Sequence, residues 1–215
     1  MIHEISKQNS VLNHFIREIR DVNVQNDRLR FRKNMERISQ ILSYELSKSL
    51  DFKPVSIQTP LSSTNSETID EQVVIGSILR AGLSMHEGVL SFFDQADNAF
   101  ISAYRQESDE SREVKVIVEY MAAPNLDNKT LILVDPMLAT GTSLILTIEA
   151  LKSRGQVKKL HIMTAIASQE GIERVQNEFP EADIWAAAID PELDKKSYIV
   201  PGLGDAGDLA YGEKE

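Results

Sequence analysis

There is no cysteine anywhere in the 215 residues. That absence removes disulfide stapling, a thiol nucleophile and any cysteine-based metal site. No apolar run approaches the length of a bilayer span, and the opening stretch MIHEISKQNS lacks the apolar core of a secretory signal. A cytoplasmic protein is therefore the expectation. Positive charge is also short. There are 23 Lys and Arg against 33 Asp and Glu, a formal net charge of −10. This balance argues against nucleic-acid binding through bulk electrostatics. Tryptophan occurs once, and Trp185 reads as a core or interface residue. Internal repeats, long linkers and low-complexity tracts are all missing, so 1–215 reads as one domain, long enough for a sizeable core.

What the chain does have is alternation of short apolar runs with helical stripes. Asn9 to Arg20 and Asn26 to Ser49 carry apolar residues at three- and four-residue steps. The arginines that open the second helix read mostly as a solvated face. Pro54 to Pro60 reads as a strand, and Ser62 to Asp70 as a surface connection or the start of a short helix. Gln72 to Ile78, Ala99 to Ala103, Leu131 to Val134, Lys159 to Ile166 and Asp183 to Ala188 read as buried strands. Helices are expected after Gly82, from Leu144 to Arg154 and from Gln169 to Phe179. Such alternation predicts a Rossmann-like parallel α/β sheet flanked by helices, with right-handed crossovers. Around it stand the N-terminal helices and a β-hairpin hood, its polar tip between Tyr104 and a strand from Val114.

The stretch LILVDPMLATGTS, Leu131 to Ser143, organises the rest. A buried strand ends in Asp135, at the sheet edge where open α/β folds bind ligands. A turn of small residues and hydroxyls follows, and then a helix whose free N–H groups point back at it. This is a phosphate cradle beside a carboxylate. It is neither a P-loop, since no lysine stands in the turn, nor a GxGxxG motif. Arg80 and Arg105 stand at two other strand ends, and the planar guanidinium suits bidentate phosphate contact. His14 and His86 read as surface or packing residues. Near the C-terminus, Pro201, Gly202, Gly204, Asp205 and Gly207 fall close together. Such a loop has many exposed backbone donors and acceptors.

VDPMLATGTS resembles the phosphoribosyl-pyrophosphate (PRPP) motif of the uracil phosphoribosyltransferase family. SILRAGLSMHEGVL (Ser77 to Leu90) and YIVPGLGDAGDLAYG (Tyr198 to Gly212) are similar to two further motifs of that family, in the same order. The resemblance implies the type I phosphoribosyltransferase fold. It also implies conversion of uracil and PRPP to UMP and diphosphate, a pentosyl transfer of pyrimidine salvage. The PRPP-binding residues it implies are Arg80, Arg105, the run Asp135, Pro136, Met137, Leu138, Ala139, Thr140, Gly141, Thr142 and Ser143, and Asp205. The uracil-binding residues are Tyr198, Ile199, Gly204, Asp205 and Ala206. Asp205, Arg105 and Asp135 are the expected catalytic groups, and no side chain stands out as a general base. Mg²⁺ is expected to arrive with PRPP rather than on a cage of protein ligands. A homodimer or homotetramer is expected, with GTP a possible effector and no membrane or nucleic-acid partner.

The chain departs from the family pattern at several positions. Thr142 stands where ATGGS has its second glycine. Gln106 and Glu107 replace an aspartate and a proline, Ser77 replaces a proline, and Leu209 replaces an arginine. Both arginines, Asp135 and GDAG are kept. The rival readings are a catalytically weak paralogue that senses PRPP or UMP, and an RNA-binding pyrimidine regulator on the same fold. Against the second, Pro136 follows Asp135 where those regulators carry a second acid.

Overall fold

A computed structural model describes residues 1–106 and 115–213, and their side chains except within 103–106 and 115–119. In chain order the elements are β1 (Ile2–Glu4), α1 (Val11–Arg20), α2 (Arg28–Ser47), β2 (Phe52–Gln58), β3 (Ser63–Ile69), β4 (Val73–Leu79) and α3 (Leu83–Leu90). Then come β5 (Asp97–Gln106), β6 (Lys115–Ala122), β7 (Thr130–Val134), β8 (Met137–Leu138), α4 (Thr142–Leu151), β9 (Lys159–Ser168) and α5 (Gln169–Glu178). The chain closes with β10 (Asp183–Asp190), β11 (Glu192–Leu193), β12 (Ile199–Val200) and α6 (Ala206–Tyr211).

The main sheet runs β1-β10-β9-β7-β4-β5-β6, with β8 paired to β9. Its strands are parallel except β6, which pairs antiparallel to β5. Alternation along each strand sorts the core into two layers. On β7, Ile132 and Val134 face α1, α2, α3 and α6, whereas Leu131 and Leu133 face α4 and α5. On β9, Met163 and Ala165 divide from Leu160 and Ile162 in the same way. Both faces are covered, so the strands are continuously apolar, as the sequence predicts. Among the described residues, no helix is long and apolar enough to cross a membrane.

Three expectations change. Ser63 to Ile69 is a strand, not a loop or helix start, and it pairs antiparallel with β2 in a hairpin separate from the main sheet. Its polarity misleads because nearly every residue of β2 and β3 faces solvent, so no buried face imposes an apolar alternation. The polar N-terminus, for which the sequence suggests no element, adds β1 to the sheet edge beside β10. There His3 stacks on Trp185 with ring centroids 3.8 Å apart. The basic start of α2 is only partly a solvated face. Arg30 clamps Glu18 through Nη2 at 2.6 Å and Nε at 2.9 Å, and Arg32 donates to the Ala210 carbonyl at 2.7 Å.

His86 is buried and packs, as expected. Its Nδ1 lies 2.6 Å from the Ser77 hydroxyl, which gives the Ser77 departure a structural role. His14 sits on the surface, 3.1 Å from Glu18 Oε1.

Candidate functional site

The strand order reverses at β4, with β5 on one side and β7, β9 and β10 on the other. Such a switch point opens a crevice at the carboxyl ends of the strands. Arg80 follows β4 and Asp135 follows β7, so the fold sets a guanidinium and a carboxylate side by side. The helices that leave these strands, α3 and α4, begin at Gly82 and Gly141, and neither has a side-chain cap. The other four α-helices are capped by Ser10, Asp27, Ser168 and Asp205. A missing cap leaves first-turn N–H groups for an incoming anion. The crevice is a cavity of about 530 Å³ lined by Arg80, Asp135, Met137, Ala139, Ser143, Tyr198, Ile199, Gly204, Asp205 and Ala206, among others.

Burial pushes the Asp135 carboxyl up to about 7. The Met137 backbone N–H bonded to it opposes the shift, and the Asp205 charge adds to it. Arg80 donates through Nη2 to Asp208 Oδ1 at 2.8 Å and to the Gly212 carbonyl at 2.7 Å. Its Nε is buried without a hydrogen-bond partner among the described residues, and Arg80 lines the cavity.

The turn before α4 is braced from behind. Gly141 adopts φ +75°, a left-handed conformation that favours glycine. The Ser168 hydroxyl donates to the Ala139 carbonyl at 2.6 Å and accepts from the Gly171 N–H at 2.8 Å. A Cβ on Gly171 would run into that same carbonyl oxygen. Thr142 opens α4, where a β-branched residue fits helical backbone, so its replacement of glycine leaves the turn intact. Its hydroxyl lies 3.1 Å from that of Thr140 and accepts from Arg174 at 2.8 Å.

The C-terminal loop is anchored, not loose. Arg20 grips Asp190 through two bonds of 2.7 and 2.8 Å and donates to the Gly202 carbonyl at 2.9 Å. The Gly202 N–H donates to Asp190 at 2.9 Å, and Gln25 donates to the Leu203 carbonyl at 3.0 Å. Asp205 caps α6 by accepting from the Asp208 N–H at 3.0 Å. Where a side chain at Gly204 would begin, nothing lies within 4 Å.

Of the expected site residues, Pro136 and Leu138 are buried, and Leu138 belongs to the core facing α4 and α5. Thr140, Gly141 and Thr142 form the turn beside the cavity rather than its lining. Arg105 lies on β5, but its side chain and the hood tip at 107–114 fall outside the described residues. Gln106 and Glu107 also lie there in side chain. Leu209 packs against the core beneath α6. Sequence reasoning missed Asp208, Ser168, Gly171, Arg174, Arg20, Gln25 and Asp190. Asp208 and Gly171 had local signals, an acid in a first turn and a glycine just inside a helix. The rest act across sequence separations that no local pattern spans.

No three His, Asp or Glu gather as a metal cage among the described residues. Asp135 and Asp205 nevertheless bring two carboxylates to one cavity. That donor set fits a magnesium ion that shares its coordination with substrate oxygens.

Fold and site define a mainly parallel α/β protein whose switch point carries an arginine, a carboxylate and an uncapped helix start. A family model described as uracil phosphoribosyltransferase matches residues 5–213. A uracil phosphoribosyltransferase of Porphyromonas gingivalis is 47% identical over 215 residues, 100% of this chain and 99% of the relative. One from Thermococcus gammatolerans is 37% identical over 91% of this chain and 86% of its own. A solved structure of an Aquifex aeolicus protein aligns with a TM-score of 0.87 at 30% identity, covering 99% of this chain and 98% of that one. The chain belongs to the uracil phosphoribosyltransferase family.

Proposed function

We propose that this chain transfers the phosphoribosyl group of PRPP to uracil, giving UMP and diphosphate. One observation carries the assignment of roles. A single cavity brings together an uncapped helix N-terminus, a half-buried carboxyl, an arginine and a glycine-rich loop open to a flat base.

The reaction breaks the bond from the anomeric carbon to diphosphate and forms one from that carbon to uracil N1, whose proton leaves to water, while positive charge grows on the ribose. The protein's task is therefore positioning and charge stabilisation. The Ala139–Ser143 turn holds the 5′-phosphate on backbone N–H groups and hydroxyls. Asp135 lies at the ribose hydroxyls, where a carboxylate accepts their hydrogen bonds as the ring flattens. Arg80 and Arg105 receive the departing diphosphate. Uracil lies against the 198–206 loop, read by backbone groups, with Tyr198 beside it. Bound Mg²⁺ would neutralise diphosphate charge, with Asp205 and Asp135 as the carboxylates near enough to orient it.

A homodimer or homotetramer is supported by the β2–β3 hairpin. It exposes Phe52, Val55, Ile57 and Leu61, and a two-stranded hairpin alone is marginal in water. Light scattering at assay concentration reads the assembly. Activation by GTP rests on the resemblance alone and is read by adding GTP to the assay. Fractionation of cells tests a cytoplasmic location.

The deciding experiment is UMP formation from uracil and PRPP with Mg²⁺, run beside cytosine, orotate and hypoxanthine. Turnover with uracil alone is expected. Turnover with another base would overturn the assignment of the loop. A folded protein that binds PRPP without turnover would instead be a sensor or an RNA regulator.

A further inference from the structure

The turn that seats the 5′-phosphate has one feature that its own residues do not supply. Arg174, on the exposed side of α5, donates through Nη1 to Thr142 Oγ1 at 2.8 Å and reaches the Thr140 carbonyl at 3.4 Å. α5 is held there independently, by Ser168 on the Ala139 carbonyl and by the close approach of Gly171. The cation is thus fixed by a docked helix and delivered to a hydroxyl at the first position of α4.

We propose that Arg174 is a positioning residue for PRPP, acting through Thr142. A hydroxyl has one donor and two acceptor sites. With an acceptor site taken by Arg174, the Thr142 O–H is left to donate, either to Thr140 Oγ1, 3.1 Å away, or to a phosphate oxygen in the turn. The guanidinium polarises that hydroxyl and places a positive charge one atom behind the anion, adding to the uncapped N-terminus of α4. Glycine at position 142 would offer neither effect. The Thr142 departure from the family motif therefore works together with Arg174. The inference rests on the turn being the 5′-phosphate seat.

Two measurements test it. Steady-state kinetics of Arg174→Ala and of length-preserving Arg174→Gln should show the KM for PRPP rising about tenfold. That rise should exceed any fall in kcat, with the KM for uracil little changed. Arg174→Lys should recover part of the loss. Thr142→Val should also raise the KM for PRPP, and the loss in the double variant should fall well short of the sum of the two single losses, because the two side chains share one bond. Calorimetry with ribose 5-phosphate, which carries only the sugar and the 5′-phosphate, should show the same weakening without any turnover. Glu173→Ala, on the same helix and bonded to Gln169, should behave as wild type. Wild-type ribose 5-phosphate affinity in both Arg174→Ala and Arg174→Gln would overturn the inference. So would fully additive losses in the double variant, or no ribose 5-phosphate binding by the wild-type chain. A wild-type protein that binds ribose 5-phosphate through Arg174 but makes no UMP would overturn the catalytic reading alone.

Discussion

The two ends of the central sheet each hold a cavity, and the larger one is at the end without the chemistry. At the amino ends of β7, β9 and β10 a cleft of about 830 Å³ is walled by Leu126, Leu131, Leu151 and Phe179 and rimmed by lysines. Every one of those lysines is already paired: Lys152 with Glu149, Lys158 with Asp51, and Lys159 with Glu71 and Asp51. Helix C-termini point that way, and cations near them are ordinary stabilisation. At the carboxyl ends the cavity is about 530 Å³, yet it gathers what the other end lacks. Two helices arrive uncapped beside it, the Asp135 carboxyl is held against its preference for ionisation, and Arg80 stands at its wall. An uncapped helix start leaves N–H groups for an anion. That combination, rather than volume, marks the carboxyl end as the candidate site.

The sharpest way to break this comparison is at Asp205. Asp205→Asn keeps an oxygen for the α6 cap but removes the charge, and should lower kcat/KM for UMP formation about a hundredfold with the fold intact. A wild-type rate would take Asp205 out of the site. Arg105→Ala should weaken PRPP handling far more than uracil binding, which separate saturation curves for the two substrates will show. Next comes Gly171→Ala, in which the new methyl meets the Ala139 carbonyl. The turn must then shift, and the KM for PRPP should rise at least about tenfold, since small misplacements of a binding group are costly.

These tests also separate what the sequence showed from what it hid. Strand, acid, hydroxyl turn and helix were legible from Leu131 to Ser143 because all four are neighbours along the chain. The Tyr198–Gly212 loop was legible for its glycines, but its anchoring was not. Arg20, Gln25 and Asp190 reach it across 12 to 182 positions, and nothing local in α1 announces a partner so distant. Of the β2–β3 hairpin, β2 was read as a strand, but β3 was misread for the opposite reason. It buries almost nothing, and the apolar periodicity that reveals a strand comes from burial. Ser10, Asp27, Ser168 and Asp205 could have been read as caps from their residue types. Gly82 and Gly141, where a capping side chain is missing, then become the informative positions.

At the amino end the expected effects are on stability alone. Leu151 is 2% exposed in the wall of the larger cleft, and Leu151→Ala should cost about 2–5 kcal/mol by enlarging it. Thermal unfolding should register that loss while the KM values for PRPP and uracil stay at wild type. A changed PRPP KM would mean that the two ends are coupled and that the contrast drawn between them is wrong.

The last effect is on protonation and tests the charge balance at the carboxyl end. The folded-state Asp135 carboxyl stands at about 7, above its ordinary value of 3.8. Between roughly pH 4 and pH 7 the folded chain therefore holds a proton that the unfolded chain has lost, so this group's contribution makes stability fall as pH rises through that window. Asp135→Asn should remove the slope. Asp205→Asn should shorten it from the alkaline end, because the neighbouring negative charge that helps to hold the proton is gone. Denaturant midpoints of the ligand-free wild type and both variants, compared from pH 4 to pH 8, measure this directly. Parallel curves for wild type and Asp205→Asn would show that the two carboxylates do not sense one another, and that burial alone raises Asp135.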